Sequence, residues 1–112
     1  MHGWTPDAGD LVWLTFDPQA GREQAGRRPA LVLSPSSYNR RSGLAIMCPI
    51  TSRIKGYPFE VELPQGLGVS GAVLSDHVKS LDWRIRRAEL AGKVSAAILR
   101  DVLARLAPLL GL

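Results

Sequence analysis

Gly9-Asp10-Leu11-Val12-Trp13-Leu14-Thr15-Phe16 is rich in Leu, Val, Trp and Thr and lies between turn-forming residues, the composition of a β-strand. Outward from it, short apolar runs keep alternating with polar turns. Residues 17–27 hold Pro, Gln, glycines and charges and read as a long loop. Residues 28–33 form a second strand, with Pro29 near its start, where a missing N–H is tolerated. Residues 35–43 read as another polar loop and 44–50 as a buried strand. Residues 58–63 alternate, with Phe59, Val61 and Leu63 on one face and Glu60 and Glu62 on the other. After a Pro-Gln-Gly-Leu-Gly turn at 64–68, strand-like pieces follow at 72–75 and 84–90. The tail then changes period. Ser95 is a fitting N-cap, Leu99, Leu103, Leu106 and Leu110 recur at helical spacing, and Pro108 and Gly111 mark the end. That leucine face reads as core first, with a second subunit as its other use. Many short strands and one terminal helix predict a mainly β chain with α content, a small, curled, mostly antiparallel β-barrel with a C-terminal helix.

The bulk composition sets bounds on this reading. At 112 residues and 46% hydrophobic, the chain fits one domain over 1–112 with a modest core, a shortage that a homodimer would relieve. Cys48 is the only cysteine and sits in an apolar run, so no disulfide forms within the chain and a reducing cytoplasm is expected. Asp7, Asp10 and Asp17 interrupt the first twenty residues, unlike a signal peptide. Arg100, Asp101 and Arg105 break the apolar tail, which is shorter than the roughly 20 residues of a membrane span; no membrane partner is expected.

The formal charge of +4 is moderate, but its placement is uneven. Arg22, Arg27, Arg28, Arg40, Arg41, Arg53 and Lys55 share a span in which Glu23 is the only acid before Glu60. Lys79, Arg84, Arg86, Arg87 and Lys93 form a second group, offset by Asp82 and Glu89. Brought to one face they would make a strip for phosphates; apart, they are a solvated surface. The two histidines and one cysteine lack ligand spacing, so no metal site and no cofactor are expected. No phosphate-binding glycine loop or G-x-S-x-G elbow is present. Arginines, a threonine and an acid in basic surroundings remain. They suit RNA cleavage, in which the substrate's own 2′-hydroxyl attacks. Such an enzyme must align that oxygen, move its proton, stabilise a charged phosphorane and protonate the leaving oxygen. Arginine's planar fork meets phosphate oxygens and stays charged.

At these residues the chain resembles the MazF/PemK family of toxin–antitoxin ribonucleases, and most of all its MazF branch. Gly9-Asp10-Leu11-Val12-Trp13, Phe16-Asp17-Pro18 and Gly21-Arg22-Glu23-Gln24-Ala25-Gly26-Arg27-Arg28-Pro29 carry the likeness. It continues through Leu31-Val32-Leu33-Ser34-Pro35, Tyr38-Asn39, Thr51-Ser52, Lys55-Gly56-Tyr57-Pro58-Phe59-Glu60-Val61 and Ser75-Asp76-His77-Val78-Lys79-Ser80-Leu81-Asp82-Trp83-Arg84. The resemblance implies an SH3-like barrel of the CcdB/PemK kind and a homodimer. It also implies cleavage of single-stranded RNA at short sequences, leaving 2′,3′-cyclic phosphate and 5′-hydroxyl ends. By position it implies Arg28 and Thr51 as catalytic, with Glu23 as a contributing acid. With the basic loops it implies RNA contacts from Arg22, Gln24, Arg27, Tyr38, Asn39, Ser52, Lys55, Tyr57, Asp76, His77 and Lys79. A labile MazE-like antitoxin with an acidic tail is the implied protein partner. Two positions depart from relatives: Leu74 stands where the PemK-like branch has an arginine, and His77 where MazF-type relatives have glutamine. Tyr38 and Tyr57, in polar stretches, are the stacking candidates; Trp13, Trp83 and Phe16 are read as core or dimer residues, and Cys48 as packing. The reading from another class is a CcdB-like inhibitor of DNA gyrase that cuts nothing.

Overall fold

Strand β1 (Asp10–Thr15) forms where the sequence alternates large apolar side chains with no helix-favouring run, and it pairs on both edges. The computed structural model describes residues 3–16 and 27–112. Beyond β1 come β2 (Arg27–Val32), a short helix α1 (Ser36–Ser42), β3 (Leu44–Thr51), β4 (Glu60–Glu62), β5 (Ala72–Leu74), β6 (Lys79–Asp82), β7 (Glu89–Lys93) and α2 (Ala96–Leu106), which ends in a 3₁₀ turn (Ala107–Leu110). All strand pairs are antiparallel, in the order β4-β5-β3-β2-β1-β7, with β6 also on β3. The expected mainly β architecture with a C-terminal helix is present, though the pairing does not close into a ring: β4 and β7 end the path unpaired with each other.

Strict alternation along the three central strands sends residues to two cores. Leu11 pairs with Leu31 and Leu31 with Cys48, making one row that packs with Ile50, Val61, Val73 and Val102. The intervening Val12, Leu14, Ala30, Val32 and Met47 pack with Leu81 and Trp83 on the other face. Where these residues lie, both faces of the central strands are covered, which explains their continuous apolar runs.

Three local expectations are corrected. Residues 35–43 are not a loop: α1 occupies them, opened after Pro35 and closed by Gly43 in the left-handed region at φ 75°. Residues 84–90 are not a strand: a tight turn joins β6 to β7, and β7 begins only at Glu89. Glu60 does not simply face water, because its carboxylate accepts from the backbone N–H of Lys55 (3.0 Å) and of Gly56 (2.8 Å) and so folds that turn.

The tail helix forms as expected. Ser95 Oγ accepts from Ile98 N at 3.2 Å, capping a free N–H. Ser95→Ala is expected to destabilise the protein by about 1 kcal/mol, read as a lower urea midpoint at unchanged slope. The leucine face is split rather than wholly core. Leu106 is buried and Leu99 packs on the core beside buried Val102, while Leu103, Leu109, Leu110 and Leu112 stand exposed. Among the described residues no helix is long and apolar enough to cross a membrane.

Candidate active site

A cleft of about 930 Å³ opens where β1, β2 and β3 end together. Antiparallel pairing brings these ends to one place: Trp13 lies opposite Pro29, and Ala30 opposite Pro49. Arg28, Thr51, Ser52, His77 and Lys79, all expected from the sequence, line it. Phe16 and Arg27, which flank residues 17–26, line it as well. Arg22, Glu23 and Gln24 lie outside the described residues.

The Arg28 side chain is exposed and makes no hydrogen bond or ion pair within the described residues, so its guanidinium is available to a ligand. Thr51 is the last residue of β3, opposite Ala72 of β5. Its Oγ1 accepts from Arg53 N at 3.0 Å, which fixes the hydroxyl and leaves its own hydrogen to donate. Gly71 makes that junction possible. It adopts φ 126°, and a Cβ there would stand 2.2 Å from the Thr51 carbonyl oxygen. Arg53 and Lys79 add charge, and no carboxylate lines the cleft among the described residues. The site is thus a basic, half-open trough with an aromatic wall, suited to a polyanion.

The remaining expected residues fall elsewhere. Asn39 is fully buried: its Nδ2 donates to the carbonyls of Pro6 (2.8 Å) and Ser34 (3.0 Å), and Ser34 Oγ bonds its Oδ1. It holds α1 to the sheet and presents nothing to RNA, which corrects that expectation. Tyr38 rides on α1, at the other end of β3 from Thr51, roughly 20 Å of strand away. Lys55 and Tyr57 are exposed and do not line the cleft; the Lys55 ammonium stands 5.7 Å from the Tyr57 ring centre. Asp76 is exposed with its carboxylate 3.7 Å from His77 Nε2. Arg27 lines the cleft, but its guanidinium is bound to backbone carbonyls and to Glu89. Cys48 is buried, and its thiol is pushed up to about 12, by desolvation first and by the charge of Asp76 second; it packs and does not react.

Sequence reasoning set Trp13 aside as a core or dimer residue; it is not core. It is 38% exposed and forms part of the cleft wall, whereas Trp83 is buried with its Nε1 donating to Asn39 O at 2.9 Å. Trp13 shares a face with Leu11; only the position where the covering layer ends distinguishes them, and no local signal marks that point.

The chain matches, over residues 7–110, the family model described as PemK-like, MazF-like toxin of type II toxin-antitoxin system. It belongs to this family. The endoribonuclease toxin MazF of Escherichia coli K12 is 47% identical over 108 residues, spanning 96% of each chain. A solved MazF from Deinococcus radiodurans is 62% identical with a TM-score of 0.89, covering 98% of this chain and 100% of that one. The MazE-MazF structure (Form-II) from the same organism is 56% identical with a TM-score of 0.88, covering 98% and 99%. Likeness at this level to PemK/MazF endoribonucleases disfavours the gyrase-inhibitor reading.

Proposed function

We propose that this PemK/MazF toxin cuts single-stranded RNA without a metal ion, using the ribose 2′-hydroxyl as nucleophile. Its family makes it an endoribonuclease toxin of a toxin–antitoxin system. One observation carries the chemical scheme: Arg28, bound to nothing in the described residues, opens into the same basic cleft as the Thr51 hydroxyl. A phosphate seated there receives a planar guanidinium and a fixed O–H donor. Both strengthen as negative charge gathers on the phosphorane oxygens. Glu23, from the sequence motif alone, is the carboxylate we assign to proton transfer, and His77 on the cleft wall is the group that reads a neighbouring base or shares the proton.

The reading predicts that purified protein cuts a defined single-stranded RNA as fast in excess EDTA as in Mg²⁺. Loss of cutting in EDTA, restored by the metal, would refute the metal-free scheme. Exposed Trp13 supplies a flat surface for an unpaired base, worth about 1–3 kcal/mol by truncation. Trp13→Ala is expected to raise the Kd for uncleavable RNA about tenfold, measured by fluorescence anisotropy.

Two partners follow, each from a different surface. The solved MazE-MazF structures pair similar toxins with MazE; for this chain an acidic antitoxin segment would enter the basic cleft and exclude RNA. The exposed leucines of the tail, Leu103, Leu109, Leu110 and Leu112, form an apolar surface that supports a homodimer. A cytoplasmic location fits a chain whose lone cysteine is a buried free thiol.

A further inference from the structure

The turn between β6 and β7 is a single helix-like turn with both ends satisfied by side chains. At its start Asp82 Oδ1 accepts from Arg84 N (3.1 Å) and Ile85 N (2.9 Å), as an N-cap does. Its own bonds run from Arg86 N to Asp82 O and from Arg87 N to Arg84 O, and Arg87 ends it at φ 56°. A turn of this kind finishes on outward carbonyls without partners inside the turn itself. Arg27 supplies them: Nη1 donates to the carbonyls of Arg86 (3.2 Å) and Arg87 (3.0 Å) and to Thr15 Oγ1 (3.3 Å). Its Nη2 donates to Trp13 O (3.4 Å) and to the Glu89 carboxylate. Arg86 returns the contact, donating through Nη1 to the carbonyls of Thr15 (3.2 Å) and Phe16, while Thr15 N donates to Arg86 O at 2.9 Å. The end of β1, the start of β2 and the turn are thereby cross-linked in both directions.

We propose that Arg27, clamped together with Arg86, is a positioning residue for Arg28 and not an RNA contact. The four Nη hydrogens of Arg27 face five acceptors, so no fork remains to offer a phosphate. The strand start needs such support. Pro29 gives no N–H of its own, and Arg27 ties the strand start to the carbonyl of Trp13 and to the turn. Arg28 lies between these two residues, and with no side-chain bond of its own in the described residues it takes its placement from the backbone. A shift of about 1 Å in a charge-stabilising group costs on the order of 10²-fold in rate. The inference rests on the reading of Arg28 as that group.

The test compares Arg27→Met, Arg27→Lys and Arg28→Ala with the unaltered protein. The readouts are kcat at saturating RNA, the Kd for an uncleavable 2′-deoxy analogue across a salt series, and Tm. The clamp predicts that Arg27→Met lowers kcat ten- to a hundred-fold, leaves Kd within about twofold, and leaves the slope of log Kd against log salt unchanged. Arg27→Lys, which keeps the charge but not the fork, lowers kcat as well and answers the question if the methionine variant fails to fold. A salt slope reduced by about one with kcat retained would make Arg27 a phosphate contact and overturn the proposal. Normal kcat with only a lowered Tm would make the clamp purely structural, which also overturns it. Normal cutting by Arg28→Ala would instead remove the underlying reading; a normal Arg27→Met beside an inactive Arg28→Ala would remove the clamp alone.

Discussion

Arg28→Ala yields a folded protein that binds RNA weakly and cuts it about 10³-fold more slowly or less. The two halves of that expectation have separate causes. Arg28 is exposed and bonds to nothing in the described residues, so deleting it removes no native contact there and should move stability by no more than about 0.5 kcal/mol. Its loss is felt only when a phosphate is present. A neutral donor aimed at developing charge is worth about 10²–10³ in rate, and a guanidinium on a transferring phosphoryl group about 10³–10⁵. Thr51 cannot compensate, since a hydroxyl supplies one donor and no charge. Arg28→Lys keeps the charge but loses the planar fork and should recover only part of the rate. Single-turnover cleavage beside circular dichroism checks both halves. A mutant with full rate would remove Arg28 from the chemistry; a mutant that unfolds would show that the side chain carries structure instead.

The sequence disclosed those parts of the fold that rest on long apolar patterning. β1, β2 and β3 are legible because Leu11, Leu31 and Cys48 alternate with Val12, Ala30 and Met47, and both sets are buried. The tail helix is legible from its Ser95 cap. Polar elements escaped. α1 reads Ser-Ser-Tyr-Asn-Arg-Arg-Ser, with no apolar stripe, and only Gly43 behind it and arginines in its last turn signal a helix. β6, with Lys79, Ser80 and Asp82 around the lone Leu81, is a strand because β3 pairs with it. At the site, the motif order delivered Arg28, Thr51, Ser52, His77 and Lys79 to one cleft. It did not separate Arg27 from Arg28, nor show that Asn39 is buried and Tyr38 lies away from the cleft. Neighbouring residues of one motif can face a ligand or the interior, and burial decides which. Trp13 shows the converse: a strand position that looks like core becomes a wall once its cover ends.

Replacing the ribose at the scissile position with 2′-deoxyribose should abolish cleavage of an otherwise unchanged RNA, the largest effect expected of any single change. On the proposed scheme Arg28 and Thr51, which line the cleft, contribute placement and charge stabilisation. In that scheme the nucleophile belongs to the substrate, and no described residue of the cleft is asked to replace it. Binding should survive, because phosphates and bases are untouched and the cleft's cations recognise the backbone. The loss should therefore fall on kcat alone, with Kd within a few-fold. A water-attack mechanism predicts the reverse, since the phosphorus and the leaving oxygen are the same in both substrates. The direct measurement is single-turnover cleavage of a defined oligoribonucleotide carrying one 2′-deoxy residue at the mapped site, with the product ends analysed. The account predicts no cleavage there, and a 2′,3′-cyclic phosphate on the unmodified control; equal cleavage of the two substrates would contradict it.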